Sequence, residues 1–192
     1  MAKKGFFYNQ DDCVGCKTCQ LACKDKNDLP VGTLFRHLID FEVGTYPDGA
    51  IFHYAKTCNH CTAPLCVANC PTGAMFIDEE DGTVQHDDYM CIGCQTCVRS
   101  CPYGVPTYIA AQKIVRKCDA CIALRKNGEE PACVAACQMR ALEFGDIDDL
   151  KAKHPGAVSD LPILPSSSAT GPCTIIAPKA AALQSGAVEV SL

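Results

Sequence analysis

Sixteen of the chain's 17 cysteines fall into four groups of four, and every group opens with C-x2-C and closes with C-x3-C. The groups are Cys13, Cys16, Cys19 and Cys23; Cys58, Cys61, Cys66 and Cys70; Cys91, Cys94, Cys97 and Cys101; and Cys118, Cys121, Cys133 and Cys137. Only the middle spacing varies, so the groups form an internal repeat, with Cys173 outside it. Such crowding leaves few ways to fold. A C-x2-C loop points two sulfurs at one centre. A C-x3-C pair sits at i and i+4, one turn apart on the same face of a helix. The 48% hydrophobic content includes these thiols, whereas aromatic residues make up only 7% and tryptophan is absent. A conventional apolar core is therefore thin, and bound metal must supply cohesion.

The third group, CIGCQTCVRSCP at 91–102, matches the C-x2-C-x2-C-x3-C-P run of bacterial ferredoxins at every position. In that run three thiolates hold one iron–sulfur cubane and the fourth crosses to the other cluster of a pair. The first group has the same spacing with Lys24 in place of proline, the second again ends in Cys70-Pro71, and the fourth has Gln138 after its last cysteine. These two departures bear on local turn shape, not on ligation. Disulfide staples do not come as four like tetrads. Zinc sites pair two knuckles or add histidines, and His37, His53, His60, His86 and His154 form no such constellation. The reading is four 4Fe-4S clusters, each carrying about −2 with its four thiolates when oxidised, on a chain of formal charge −5. Lys17, Lys24, Arg99, Lys117 and Arg125 are candidates to tune their potentials, against the plainer reading of solvated charges.

Hairpin signals frame the groups. GFFYNQDDC reads as a strand entering the first and RALEFGDID as a strand leaving the fourth. AMFIDEEDGTVQHDDYMC reads as two strands about Asp81-Gly82. A further hairpin about Pro47-Asp48-Gly49 and a short helix at IDDLKAKH are expected. The fold class is α+β: two interleaved bacterial-ferredoxin-like two-cluster units with short helices and hairpins, a hairpin insert and an extended C-terminal arm. Residues 1–57 hold the first group and the insert, 58–112 a sequential two-cluster unit, 113–145 the fourth group, paired with the first, and 146–192 the arm. The last dozen residues are expected to be disordered, and CTIIAP to dock on a surface. His60, Tyr8, Tyr89, Tyr103 and Cys173 are read as packing residues. The acidic balance and the lack of a basic run argue against nucleic acid. No apolar run reaches the ~18 residues of a membrane span. No signal-peptide stretch or twin-arginine pair is found, so an export address of its own is not expected.

The stretches GFFYNQDDCVGCKTCQLACKD, CNHC, CPTGAM, CIGC, CPYGVPTY, KCDAC and RALEFG closely resemble the four-cluster subunit of the dimethyl sulfoxide reductase family of molybdoenzymes, over about residues 5–150. The resemblance implies four ligand sets: Cys13, Cys16, Cys19 and Cys137; Cys118, Cys121, Cys133 and Cys23; Cys58, Cys61, Cys66 and Cys101; and Cys91, Cys94, Cys97 and Cys70. It implies a non-catalytic subunit that relays electrons, with a molybdopterin-containing catalytic subunit and an integral membrane subunit that oxidises quinol as partners. It also implies attachment to the membrane through those partners, on the outer face of the cytoplasmic membrane, with a cytoplasmic site as the alternative. An iron–sulfur subunit of a hydrogenase or formate dehydrogenase-type complex, or a free soluble polyferredoxin, are the other readings.

Overall fold

A computed structural model of the protein describes residues 3–191. The run Gly5-Phe6-Phe7-Tyr8 lies in β1 (Lys4–Asn9), and it is apolar throughout because both of its faces are covered. Phe6 and Tyr8 enter the largest core, while Phe7 packs on the other side with Ile147, Leu150 and Ile175. Next come α1 (Thr18–Lys26) and the hairpin β2 (His37–Val43) with β3 (Ala50–Lys56). This is the expected hairpin. Its antiparallel register sets Phe41 opposite Phe52, with ring centroids 5.3 Å apart, and Phe52 is fully buried.

The middle of the sequence is built from short pieces. They are α2 (Leu65–Ala68), β4 (Met75–Ile77), β5 (Val84–His86), α3 (Thr96–Ser100), β6 (Thr107–Ile109), β7 (Ile114–Arg116), α4 (Ile122–Lys126) and α5 (Ala132–Ala135). The β4–β5 hairpin turns where Asp81-Gly82 predicts it, and the carboxylates of Asp78 and Asp81 accept backbone N–H bonds across the turn. The β6–β7 hairpin lies in TYIAAQKIVR, which carries no glycine or proline turn signal. The expected strand and helix after the fourth group are β8 (Leu142–Asp146) and α6 (Ile147–Lys153). Asp146 caps that helix by accepting the Asp148 N–H at 3.0 Å.

The C-terminal segment departs from expectation. In place of an arm with a disordered end, it supplies β9 (Thr174–Ala177) and β10 (Val188–Val190). CTIIAP docks on the protein itself: β9 runs parallel to β1, which β8 flanks antiparallel on its other edge. β10 extends the other sheet beside β2. Backbone N–H and C=O groups left open at the edges of β1 and β2 find partners in this way. Cys173, at the entry to β9, is 2% exposed among Phe7, Ile147, Leu150 and Ile175, as a packing residue should be.

Short helices and small sheets make a mixed α and β structure, in keeping with the α+β expectation. Helix α1 of the first group packs on α5 of the fourth, and α2 of the second packs on α3 of the third. Among the described residues no helix is long and apolar enough to cross a membrane.

Candidate functional site

Each C-x2-C loop is bent in the same way. Its third residue takes the left-handed conformation in all four groups: Gly15 (φ 73°), His60 (φ 43°), Gly93 (φ 67°) and Ala120 (φ 53°). That left-handed residue, followed in the fourth group by a left-handed Cys121 (φ 52°), folds the loop so that two sulfurs face one side. In the first and third groups the residue after the second cysteine, Lys17 or Gln95, is also left-handed (φ 60° in both) and starts the helix that carries the next thiol. Glycine is required at position 93. A Cβ there would lie 2.2 Å from the carbonyl oxygen of Lys113. Gly93→Ala is expected to cost about 3 kcal/mol or more, from the clash and the left-handed backbone together. Gly32→Ala, at φ +83° with nothing within 4 Å, should cost only about 1 kcal/mol. Anaerobic denaturant titration of the two variants checks this.

The thiols gather across groups. One cavity is lined by Cys13, Cys16 and Cys19 together with Cys137. A second is lined by Cys58, Cys61 and Cys66 together with Cys101. A third is lined by Cys91, Cys94 and Cys97 together with Cys70. The other four thiols are also drawn together. Cys23 and Cys118 share an apolar cluster, and the helices that carry Cys23 and Cys133, α1 and α5, pack on each other, so that Cys133 acts as a like charge on Cys23, Cys118 and Cys121. Neighbour relations also link the sets. Cys19 lies near Cys133, Cys118 lies near Cys58, and Cys66 shares an apolar cluster with Cys97 and Cys70. Each of these sets is made of sulfur donors. No three His, Cys, Asp or Glu side chains among the described residues close into a single-ion site. The donor set and the space between the thiols suit a polynuclear sulfide cluster better than one ion.

Burial differs along this arrangement. Burial pushes the Cys23 and Cys66 thiols up to about 12 and the Cys19, Cys61 and Cys97 thiols up to about 11, with neighbouring thiols adding to it. Cys118 is raised well above the ordinary thiol value, again chiefly by burial. Cys16 and Cys94 are exposed, and hydrogen bonds from Thr18 and Thr96 lower both. Burial would raise Cys70, but N–H groups of Met75, Thr72 and Ala74 outweigh it and lower the thiol.

All five candidate tuning cations are held in other bonds. Lys17 pairs with Asp40 at 3.1 Å. Lys24 Nζ donates to the carbonyls of Leu29, at 2.8 Å, and Pro30. Arg99 Nη2 donates to the Cys94 carbonyl at 3.4 Å. Arg125 pairs with Asp81 and donates to the Ala120 carbonyl at 2.7 Å. Lys117 is the most deeply buried of them. It is 5% exposed, and its Nζ donates to the carbonyls of Val84 and, at 2.9 Å, Cys118, which sets a cation beside Cys118 and near enough to act on Cys66.

His60 packs as expected and does more. The Val84 N–H donates to its Nδ1 at 3.0 Å, so the ring's proton sits on Nε2, which faces Cys118 Sγ at 3.9 Å. Tyr8 and Tyr103 are buried beside the thiols. Tyr89 corrects the expectation, because its side chain is fully exposed and packs on nothing. Sequence reasoning passed over Arg36, a guanidinium 2% exposed. It lies 13 positions after Cys23 in no motif, so sequence held no signal for it.

The comparisons with known proteins bear on the same residues. The 4Fe-4S dicluster domain family matches residues 50–147, and a 4Fe-4S binding domain matches residues 10–27. The protein is 41% identical to YnfG of Escherichia coli (strain K12), a probable anaerobic dimethyl sulfoxide reductase chain, covering 92% of this sequence and 89% of that one. It belongs to the family of iron–sulfur subunits typified by that of anaerobic dimethyl sulfoxide reductase. Another member, from the anaerobic dimethyl sulfoxide reductase of Haemophilus influenzae, is 40% identical over 97% of this sequence and 94% of its own. The corresponding subunit of the sulfite dehydrogenase of Allochromatium vinosum is 38% identical over 71% of this sequence and 66% of its own. Like the family, this protein holds 4Fe-4S clusters and serves as an iron–sulfur electron-transfer subunit of a redox complex.

Proposed function

We propose that the protein carries four 4Fe-4S clusters in a row and that each is held by three thiols of one group and one of another. Cys13, Cys16, Cys19 and Cys137 hold the first. Cys118, Cys121, Cys133 and Cys23 hold the second, Cys58, Cys61, Cys66 and Cys101 the third, and Cys91, Cys94, Cys97 and Cys70 the fourth. The observation that carries this reading is the mixed lining of the three cavities, each with three thiols from one group and the crossing thiol from another. The packing of α1 on α5 and of α2 on α3 supports two interleaved ferredoxin-like units, the first completed by a fourth group that follows the second unit in sequence.

When bound, a 4Fe-4S cluster supplies one-electron transfer. The protein's part is spacing, burial and electrostatics. The crossing thiols tie the first cluster to the second and the third to the fourth, and the shared core clusters of Cys19 with Cys133, Cys118 with Cys58 and Cys66 with Cys97 order the row. Its two middle quartets are mostly buried, while each end carries an exposed thiol, Cys16 or Cys94. Exposed apolar side chains flank both ends: Val14 and Leu21 near Cys16, and Tyr89, Met90 and Ile92 near Cys94. That combination suits electron exchange with partners docked at the two ends. By likeness to the dimethyl sulfoxide reductase relatives, we assign those partners as a molybdopterin catalytic subunit and a quinol-oxidising membrane anchor. The complex is assigned to the outer face of the cytoplasmic membrane.

Purification in mild detergent under anaerobic conditions tests this. Co-isolation with a large molybdenum-containing subunit and a hydrophobic one is the expected result. A stable monomer without either would overturn the assignment of partners.

A further inference from the structure

We propose that Arg36 is a positioning residue for electron transfer, a fixed buried cation between the first two quartets that raises the reduction potentials of both their clusters. The proposal rests on the ligand sets given above. The side chain is 2% exposed, its carbon Cζ stands 5.0 Å over the ring of Phe6, and Nη1 donates to the Ala55 carbonyl at 3.2 Å. Its other two nitrogens, Nε and Nη2, are buried without a hydrogen-bond partner. Among the described residues no carboxylate pairs with it. A guanidinium in this position loses its hydration and gains one neutral acceptor and one aromatic face, a poor exchange unless anions lie nearby. Those anions are sulfurs. Its partners Phe6 and Ala55 share a core cluster with Cys19 and Cys133, and the preceding residue Phe35 shares one with Cys23 and Cys118. The thiols that act most on its charge are the same four, one from the first quartet and three from the second. The Arg36 backbone N–H is also hydrogen-bonded to Cys23.

The sign follows from charge. Reduction adds one negative charge to a cluster, so a nearby fixed cation stabilises the reduced form and raises the potential. In a buried setting that effect is weakly screened. Lys117 is placed to do the same where the second and third quartets meet, so buried cations and anionic clusters would alternate along the row.

The test is an EPR-monitored redox titration of the holo-complex carrying Arg36→Met or Arg36→Gln, beside wild type and Arg36→Lys. Iron per chain is counted in each. With iron unchanged, two of the four potentials should fall in the neutral variants. The expected shift is at least tenfold in the reduced-to-oxidised ratio at fixed potential, or 59 mV for one electron. The other two potentials should stay put, and Arg36→Lys should restore most of the difference. If Arg36→Met loses iron, Arg36→Gln, nearer in size and polar, decides. Unchanged potentials, equal shifts at all four clusters, or an equal fall in Arg36→Lys would overturn the proposal. So would iron loss in both neutral variants beside a fully loaded wild type, which would make Arg36 structural. Failure of the ligand reading shows separately, as a wild type without its four clusters.

Discussion

Alanine at Cys137 should abolish the same cluster as alanine at Cys16, although 121 positions separate the two (137 − 16). Both residues line one cavity with Cys13 and Cys19. Each variant is expected to lose about four of roughly sixteen irons and the same EPR signal. Electron flow through the assembled complex should fall by about 100-fold. Cys23→Ala discriminates between arrangements. If each sequence group bound its own cluster, Cys23→Ala would match Cys16→Ala. In the crossed arrangement it instead matches Cys118→Ala, because Cys23 lies among Cys118, Cys121 and Cys133. Signal-by-signal comparison of the four variants checks the crossing directly.

Removing the clusters should unfold most of the protein. Binding free energy at a structural metal site is on the order of 10 kcal/mol, as large as the ~5–15 kcal/mol by which a whole domain is stable. Here the dependence is unusually direct, since three of the four apolar clusters contain the thiols themselves. The helices that carry the thiols cannot stand alone. α2 and α5 have four residues each, far below the length at which an isolated helix persists. Iron chelation under reducing conditions is therefore expected to abolish cooperative unfolding and to expose most amides to exchange. The β2–β3 hairpin, with its Phe41–Phe52 stack, should keep the most protection. A stripped protein that retained a sharp unfolding transition would mean that the apolar core suffices without metal.

The parts of this molecule legible in its sequence are those set by local chemistry. Thiol identity and C-x2-C spacing leave one loop shape, and the left-handed residues at Gly15, His60, Gly93 and Ala120 show it repeated four times. The hairpins at Pro47-Asp48-Gly49 and Asp81-Gly82 are likewise written in their turn residues. What stayed hidden is non-local. β9 and β10 are short strands whose partners, β1 and β2, lie more than a hundred residues earlier. Nothing within a Pro-, Ser- and Ala-rich segment marks a pairing at that distance. Nearness in sequence also misled. Tyr89 stands two positions before Cys91 yet points into solvent, and Arg99 and Lys24 bond to carbonyls. Arg36 is far from any cysteine group in sequence, and it is the cation that folding buries among four thiols. Burial of a charge such as Arg36 is a property of the fold, whereas thiol spacing is a property of the motif.

Iron and acid-labile sulfide, counted per polypeptide in anaerobically purified protein, test the central claim most directly. About sixteen of each are predicted, four per quartet. A count near eight, or thiols recovered as disulfides in place of bound iron, would contradict it.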